Sequence, residues 1–327
     1  MRVRIPAPLP DDLASAAFSP AQARVAGVSK GRLRRTDVVH PLRGGYCLEV
    51  PKDLLSRARV WGVAMPDSRA YSHVTGARIL GLPLPRALET LADEGELHVT
   101  ARTTDGAVQR PRVVGHRGLE RRQVEVVDGL RVVGMADTWC DLATLGPRRI
   151  SVDDLVVIGD HVAHAIDRAA QVDIRPGSVT SPGVRALHAA LGNRVRPRGK
   201  VMLREALALV RPRVKSPMET RARLMFVRAE FPEPVVNLPI LDDAGEFLAE
   251  GDLVWPEQRV IGEYQGENHA DRKRRSADSG RGHLLRSHVW THEELWAEDV
   301  FQRPRRMAAL LRFASHLDLD PAKLLIA

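Results

Sequence analysis

The chain has 327 residues, enough for two or three domains, and its 44% hydrophobic and 28% charged residues exclude a disordered or fibrous polypeptide. The 49 Lys and Arg outweigh the 41 Asp and Glu to give a net charge of +8, with a pI of about 10.0, which favours an anionic partner, nucleic acid ahead of an acidic membrane surface. Two cysteines with no CxxC spacing exclude a zinc ribbon; with no signal-peptide stretch and no apolar run of ~20 residues, the expectation is a cytoplasmic protein with reduced core thiols and no membrane partner.

Residues 1–50 read as a first unit. In FSPAQARVAGVSKGRLRR, Ser19 is placed to cap a helix that takes Pro20 in its first turn, and Gly27 ends it. Ser29 can cap a second short helix whose Leu33 faces the core. The alternating VVHPLRGGYCLEV then reads as a hairpin, so the pattern predicts a winged helix-turn-helix. Arg24, Lys30, Arg32, Arg34, Arg35 and Arg43 stand there against one acid, Asp37. Such clustering suits contact with DNA; the alternative is a packing domain with a solvated basic face.

Residues 51–165 read as a middle α/β domain. DLLSRARVWGVAM and AYSHVTGARILGLPLP are helical in pattern, the second ended by Gly81. ELHVTA, RPRVVGH, QVEVV and LRVVG are strand-like, the last two joined by a hairpin signal at Asp128 and Gly129, and MADTWCDLATL is helical again. Ser72 and His73 offer a nucleophile beside a base, but adjacent residues of one helix face apart. Residues 166–200 are rich in Arg, Pro and Gly and read as a connecting region with one short helix, ALHAALG.

Residues 201–327 form the last unit. REALALV and SPMETRARLMFVRAEF are helices; VVNLPILD, FLAEGDLVWP and RVIGEYQG form a three-strand meander. HLLRSHVW reads as a helix running into a strand, and THEELWAEDVF and PRRMAALLRFASHL as closing helices. The fold class that follows is α/β, an α+β multidomain chain, with a mixed sheet flanked by helices at its C-terminal end.

The chemistry concentrates in that meander. If its second turn centres on Glu257 and Gln258, Val254 faces Ile261 and Asp252 faces Glu263, while alternation puts Glu263 and Gln265 on one face. Like charges directly opposed across a sheet are destabilising, and a divalent cation turns the repulsion into coordination. Oxygen donors of this kind select a hard ion, Mg²⁺ or Mn²⁺, which can polarise a phosphodiester and activate water. The alternative is a pair of solvated strand-end carboxylates. Glu219, three residues after Ser216 with Pro217 between, equally completes a capping box.

GDLVW, VIGEYQGENH, DSGR and HLLRSHVWTHEEL resemble, in order and spacing, a bacterial family related to very-short-patch-repair endonucleases of the PD-(D/E)XK superfamily. The resemblance covers about residues 210 to 315 and implies a restriction-endonuclease-like fold that cleaves DNA with Mg²⁺ or Mn²⁺. Carried over by position, it implies Glu219, Asp252, Glu263, Gln265 and His269 as catalytic residues, Asp252 and Glu263 as metal ligands, and an Asp278/Arg281 pair. The run Arg272, Lys273, Arg274, Arg275, with Arg281, would neutralise incoming phosphates. Gln265 departs from the pattern, since close relatives carry an acid there and the wider superfamily a lysine. Residues 15–165, through FSPAQARVAGVSKGRLRR, LRGGYC, YSHVTGARILGLPLP and LRVVGMADTWCDLATL, resemble AbiEi-type antitoxins of type IV toxin–antitoxin systems. That likeness implies DNA binding and autoregulation, with a cognate toxin as a possible partner. The competing expectation is therefore a non-catalytic regulator whose nuclease fold only binds.

Overall fold

The structure is a computed structural model that describes residues 7–242, 244–266 and 290–326. It is mixed α/β and divides into two compact units. The first holds residues 1–151 and 189–200, the second 152–188 and 201–327. The chain thus leaves the first unit after Ser151, where the sequence pattern placed the end of the middle domain at 165 and a connecting region beyond it.

The first unit opens with α1 (Asp11–Ala14) and α2 (Pro20–Val25). Ser19 caps α2 as expected: its Oγ accepts from Gln22 N, and Gln22 Oε1 returns the bond to Ser19 N. Gly27, at φ +72°, takes the chain out of the helix. The second helix of the expected pair is only a 3₁₀ turn, Arg32–Arg34, because Gly31 at its start is a poor helix former and Arg35 is already extended. Val25 faces outward at 89% exposed, while Ala23 packs with Leu9, Leu13, Phe18 and Val38. The hairpin β1 (Val39–Leu42) and β2 (Gly45–Cys47) closes this segment. A Cβ on Gly45 would lie 2.0 Å from the Val60 carbonyl oxygen, so only glycine fits.

After α3 (Leu54–Gly62) come β3 (Arg69–Tyr71), α4 (His73–Ile79), α5 (Arg86–Glu94), β4 (Leu97–Ala101), β5 (Val113–Arg117), β6 (Val124–Val127), β7 (Leu130–Val133) and α6 (Met135–Leu142). The strands form one five-stranded sheet in the order β5-β4-β3-β7-β6. β3–β7 and β4–β5 are parallel and the other pairs antiparallel. Asp128 and Gly129, both at positive φ, make the tight β6–β7 turn that the Asp-Gly pair requires. Cys47 and Cys140 are buried free thiols.

The second unit begins with α7 (Val152–Ala169), an 18-residue helix within a stretch the sequence pattern left without one. Asp160 holds it in place: its carboxylate accepts from Thr220 Oγ1, Arg223 Nη2 and the Arg211 backbone N–H, all at 2.9 Å or less. α8 (Pro182–Gly192), α9 (Lys200–Leu209) and α10 (Pro217–Arg228) follow. Then come β8 (Val235–Leu241), β9 (Phe247–Trp255), β10 (Val260–Tyr264) and β11 (Thr291–Leu295), α11 (Ala297–Phe301) and α12 (Arg303–His316). The sheet order is β11-β10-β9-β8, with β10–β11 parallel and the rest antiparallel. THEEL is thus strand β11, and the closing helix expected across THEELWAEDVF begins only at Ala297, with Asp299 Oδ2 accepting from the Trp296 backbone N–H. Phe226, Trp255, Phe313 and Leu295 centre the core between the sheet and α10 and α12. A Cβ on Gly262 would meet the Phe313 ring at 3.1 Å, so this glycine lets α12 close on the sheet. No helix among the described residues is long and apolar enough to cross a membrane.

Candidate functional site: a carboxylate cluster at the end of the second sheet

The expected register is the observed one. Val254 pairs with Ile261 and Leu253 with Gly262, so Asp252 and Glu263 occupy the next rung. There the ladder gives way to a side chain: Asp252 Oδ2 accepts from the Tyr264 backbone N–H at 2.9 Å. On the other side, β8 pairs Val236 with Leu253 and Leu238 with Gly251, and the rung between them would set Asn237 against Asp252. Asn237 instead sits at φ +48°, a left-handed conformation that Asn tolerates better than most residues. Its fully buried amide donates to Glu219 Oε2 at 2.7 Å and to the Arg213 carbonyl at 3.0 Å.

Glu219 enters from the first turn of α10. Ser216 Oγ accepts from Glu219 N at 3.2 Å, which is half of the expected capping box. The return bond goes one residue further back, from Lys215 N to Glu219 Oε2 at 3.0 Å. The buried Glu219 carboxylate is thereby tied to a backbone amide and to Asn237 rather than to its own cap. Glu263 is matched to a residue absent from the sequence-derived set: His292 Nε2 lies 2.6 Å from Glu263 Oε2. His292 is two residues before Glu294, which pairs with Glu263 across β10–β11. The alternation that placed Glu263 would have found it, had THEEL been read as a strand.

Burial, and then the negative charges of Glu219, Glu263 and Glu250, push the Asp252 carboxyl up to about 7; the Tyr264 N–H offsets part of this. Lys215 Nζ pairs with Glu250 Oε1 at the rim. Gln265 is half-buried and continues the strand by donating its backbone N–H to the Leu295 carbonyl at 2.8 Å. Glu219, Asp252 and Glu263 offer oxygen donors, the kind a hard divalent ion such as Mg²⁺ or Mn²⁺ selects, although among the described residues the three carboxylates do not close to within 4.8 Å of one another.

His269, Asp278, Arg272, Lys273, Arg274, Arg275 and Arg281 lie outside the described residues. In the first unit Arg24, Lys30, Arg34, Arg35 and Arg43 are exposed. Arg32 is not available in the same way: its fork is bidentate on Asp37 at 2.9 and 2.7 Å, and its Nε donates to the Ala7 carbonyl. Ser72 and His73 do meet, with Ser72 Oγ 3.0 Å from His73 Nδ1. Ser72 is the extended residue before α4, so the rule that neighbours on a helix face apart does not apply to the pair.

Comparison with known proteins adds one relationship. The chain is 36% identical over 122 residues to an uncharacterized protein of Mycobacterium tuberculosis, MT2308 in strain CDC 1551 and Rv2248 in strain H37Rv. The match covers 37% of this chain and 44% of those relatives, so it spans less than half the length of either. No family model and no solved structure matches.

Proposed function

We propose that the second unit is a metal-dependent DNA endonuclease of the very-short-patch-repair-like kind, with a restriction-endonuclease-like fold, and that the first unit binds DNA through a winged-helix-like segment whose second helix is reduced to a 3₁₀ turn. The observation that carries this reading is the placing of Asp252 beside Glu219 and Glu263, where burial first and the neighbouring carboxylates next push its carboxyl up to about 7. Like charges set together around a buried Glu219 and half-buried Asp252 and Glu263 are stabilised by a cation. Asp252 and Glu263 would hold Mg²⁺ or Mn²⁺, with Glu219 beside them. The ion, when bound, polarises a phosphodiester and lowers the pKa of a water.

The remaining work falls to the chain. The Tyr264 amide fixes Asp252 and holds it as an acceptor. Asn237 and the Lys215 amide fix Glu219. His292, on Glu263, can donate to that carboxylate and orient it, or take up a proton released nearby. Gln265 can hydrogen-bond a water or a phosphate oxygen but cannot accept a proton as a base. The exposed Arg24, Lys30, Arg34, Arg35 and Arg43 supply non-specific phosphate attraction.

A second reading has its own observation. His292 on Glu263, Asn237 with Lys215 N on Glu219, and Tyr264 N on Asp252 give each of the three carboxylates a partner without a cation. That favours a non-catalytic DNA-binding regulator, an AbiEi-like antitoxin with a toxin partner, in which Gln265 marks a decayed site. Cleavage by wild type, Gln265→Ala and Gln265→Lys over a Mg²⁺ titration separates the two. Wild-type activity that falls in the Ala variant supports the enzyme. A silent wild type rescued by Lys supports the decayed site, and silence in all three removes the nuclease reading.

A further inference from the structure

We infer that the first unit carries a second metal site of different chemistry: His73, His98 and His116 bind a transition ion of the Zn²⁺ class through three imidazole nitrogens, with a solvent molecule as fourth ligand. Nitrogen atoms of the three side chains lie within 4.8 Å of one another. His98 Nδ1 and His116 Nε2 are 3.1 Å apart, close to the edge of about 3.3 Å of a tetrahedron with Zn–N of about 2.0–2.1 Å. The His73 ring lies on the His116 ring with centroids 3.6 Å apart, so it must swing out of that stack by up to about 1.5 Å to bring its nitrogen to the same edge length.

The backbone gathers these residues deliberately. β4 and β5 are parallel with Thr100 opposite His116, so His98, Thr100 and His116 share one face of the sheet. His73 is brought to them from the start of α4. Ser72 N donates to the His98 carbonyl at 3.1 Å, and the His98 amide donates to Thr75 Oγ1 at 2.8 Å. His73 itself has φ +51°, a conformation with a cost for a residue bearing a Cβ and one that clusters at functional sites.

The surroundings match those of a ligating histidine. His73 Nδ1 is 3.0 Å from Ser72 Oγ and 3.9 Å from Asp141 Oδ2, which leaves Nε2 for the ion, the arrangement in which a second group fixes the tautomer. Asp141 is itself held by Arg122 at 2.8 Å and Arg194 at 3.1 Å. The positive charges of Arg122 and Arg149 reach the cluster and oppose a further cation, so the site relies on the nitrogen donors rather than on the local field. An all-imidazole set selects Zn²⁺, Co²⁺ or Cu²⁺ over Mg²⁺. His98 and His116 are only half-buried, so the fourth position opens to water, as in hydrolytic rather than structural zinc sites. Ser72 Oγ accepts from Thr100 Oγ1 at 2.7 Å and is fully buried, so it supports His73 and is not a nucleophile.

Co²⁺ added to the EDTA-stripped full chain tests this. One equivalent should give the visible absorption of tetrahedral cobalt, in wild type and in the Asp252→Asn/Glu263→Gln double variant alike. His98→Gln and His116→Gln, both at half-buried positions, should lose the bands and weaken Zn²⁺ by tenfold or more in calorimetry, with the far-ultraviolet circular dichroism unchanged. A wild type without tetrahedral bands overturns the proposal whatever the variants do. So does retention of the bands in both histidine variants, which would put the ion elsewhere.

Discussion

Replacing Asp252 by Asn should stabilise the metal-free protein, and by an amount that grows with pH. The side chain keeps its shape and an oxygen to accept from Tyr264 N, but it loses the charge that Glu219, Glu263 and Glu250 oppose. The folded-state pKa of about 7 lies above the ordinary 3.8. The favourable contribution of the protonated group is therefore complete below about pH 4 and is lost as pH rises through 7. A carboxyl raised that far costs the folded state about 4 kcal/mol once it is fully ionised, and about 2.5 kcal/mol of that appears between roughly pH 5 and pH 8. Urea unfolding of wild type and Asp252→Asn across this window, in EDTA, measures it as the difference between the two curves, which cancels the titrating groups that do not interact with Asp252. Saturating Mn²⁺ should lift the wild type most at the alkaline end and leave the variant unmoved. Two curves that stay parallel from pH 5 to pH 8 would refute the raised Asp252 carboxyl, set by burial and by the neighbouring carboxylates, on which the site rests.

Asn237→Ala should cost about 2–3 kcal/mol in urea unfolding, since it leaves the buried Glu219 carboxylate without its side-chain donor and keeps a strained φ. Arg223→Ala should cost about 3–5 kcal/mol by stranding the buried Asp160, and adding Asp160→Asn should recover part of the loss in the same measurement. Arg34→Ala and Arg35→Ala should each lower the salt slope of DNA binding by about 0.9, read by fluorescence anisotropy over a salt series, without changing the unfolding midpoint. Arg32→Ala should instead lower that midpoint, because its fork and Nε hold Asp37 and the Ala7 carbonyl.

Local chemistry was readable wherever it is decided locally. Ser19, Pro20 and Gly27 frame α2, the Asp128–Gly129 pair makes its turn, and the alternation of β9 and β10 fixes the register that opposes Asp252 and Glu263. What escaped depends on partners distant in sequence. THEEL, with two glutamates, carries no strand preference of its own and is a strand because it pairs in parallel with β10. His292 was lost with it. Asn237 reads as an ordinary strand residue until the missing rung opposite Asp252 is seen. The three histidines are scattered from 73 to 116 and converge only through the parallel β4–β5 register and the N-cap of α4.

The most direct measurement of the central claim is the nicking of supercoiled DNA by the full chain with Mg²⁺ or Mn²⁺, beside EDTA and beside Asp252→Asn and Glu263→Gln. The expected result is relaxed or linear product from wild type, none with EDTA, and a loss of at least a hundredfold in each variant while both still unfold cooperatively. Intact DNA with every divalent ion, or equal nicking by wild type and both variants, would contradict the claim.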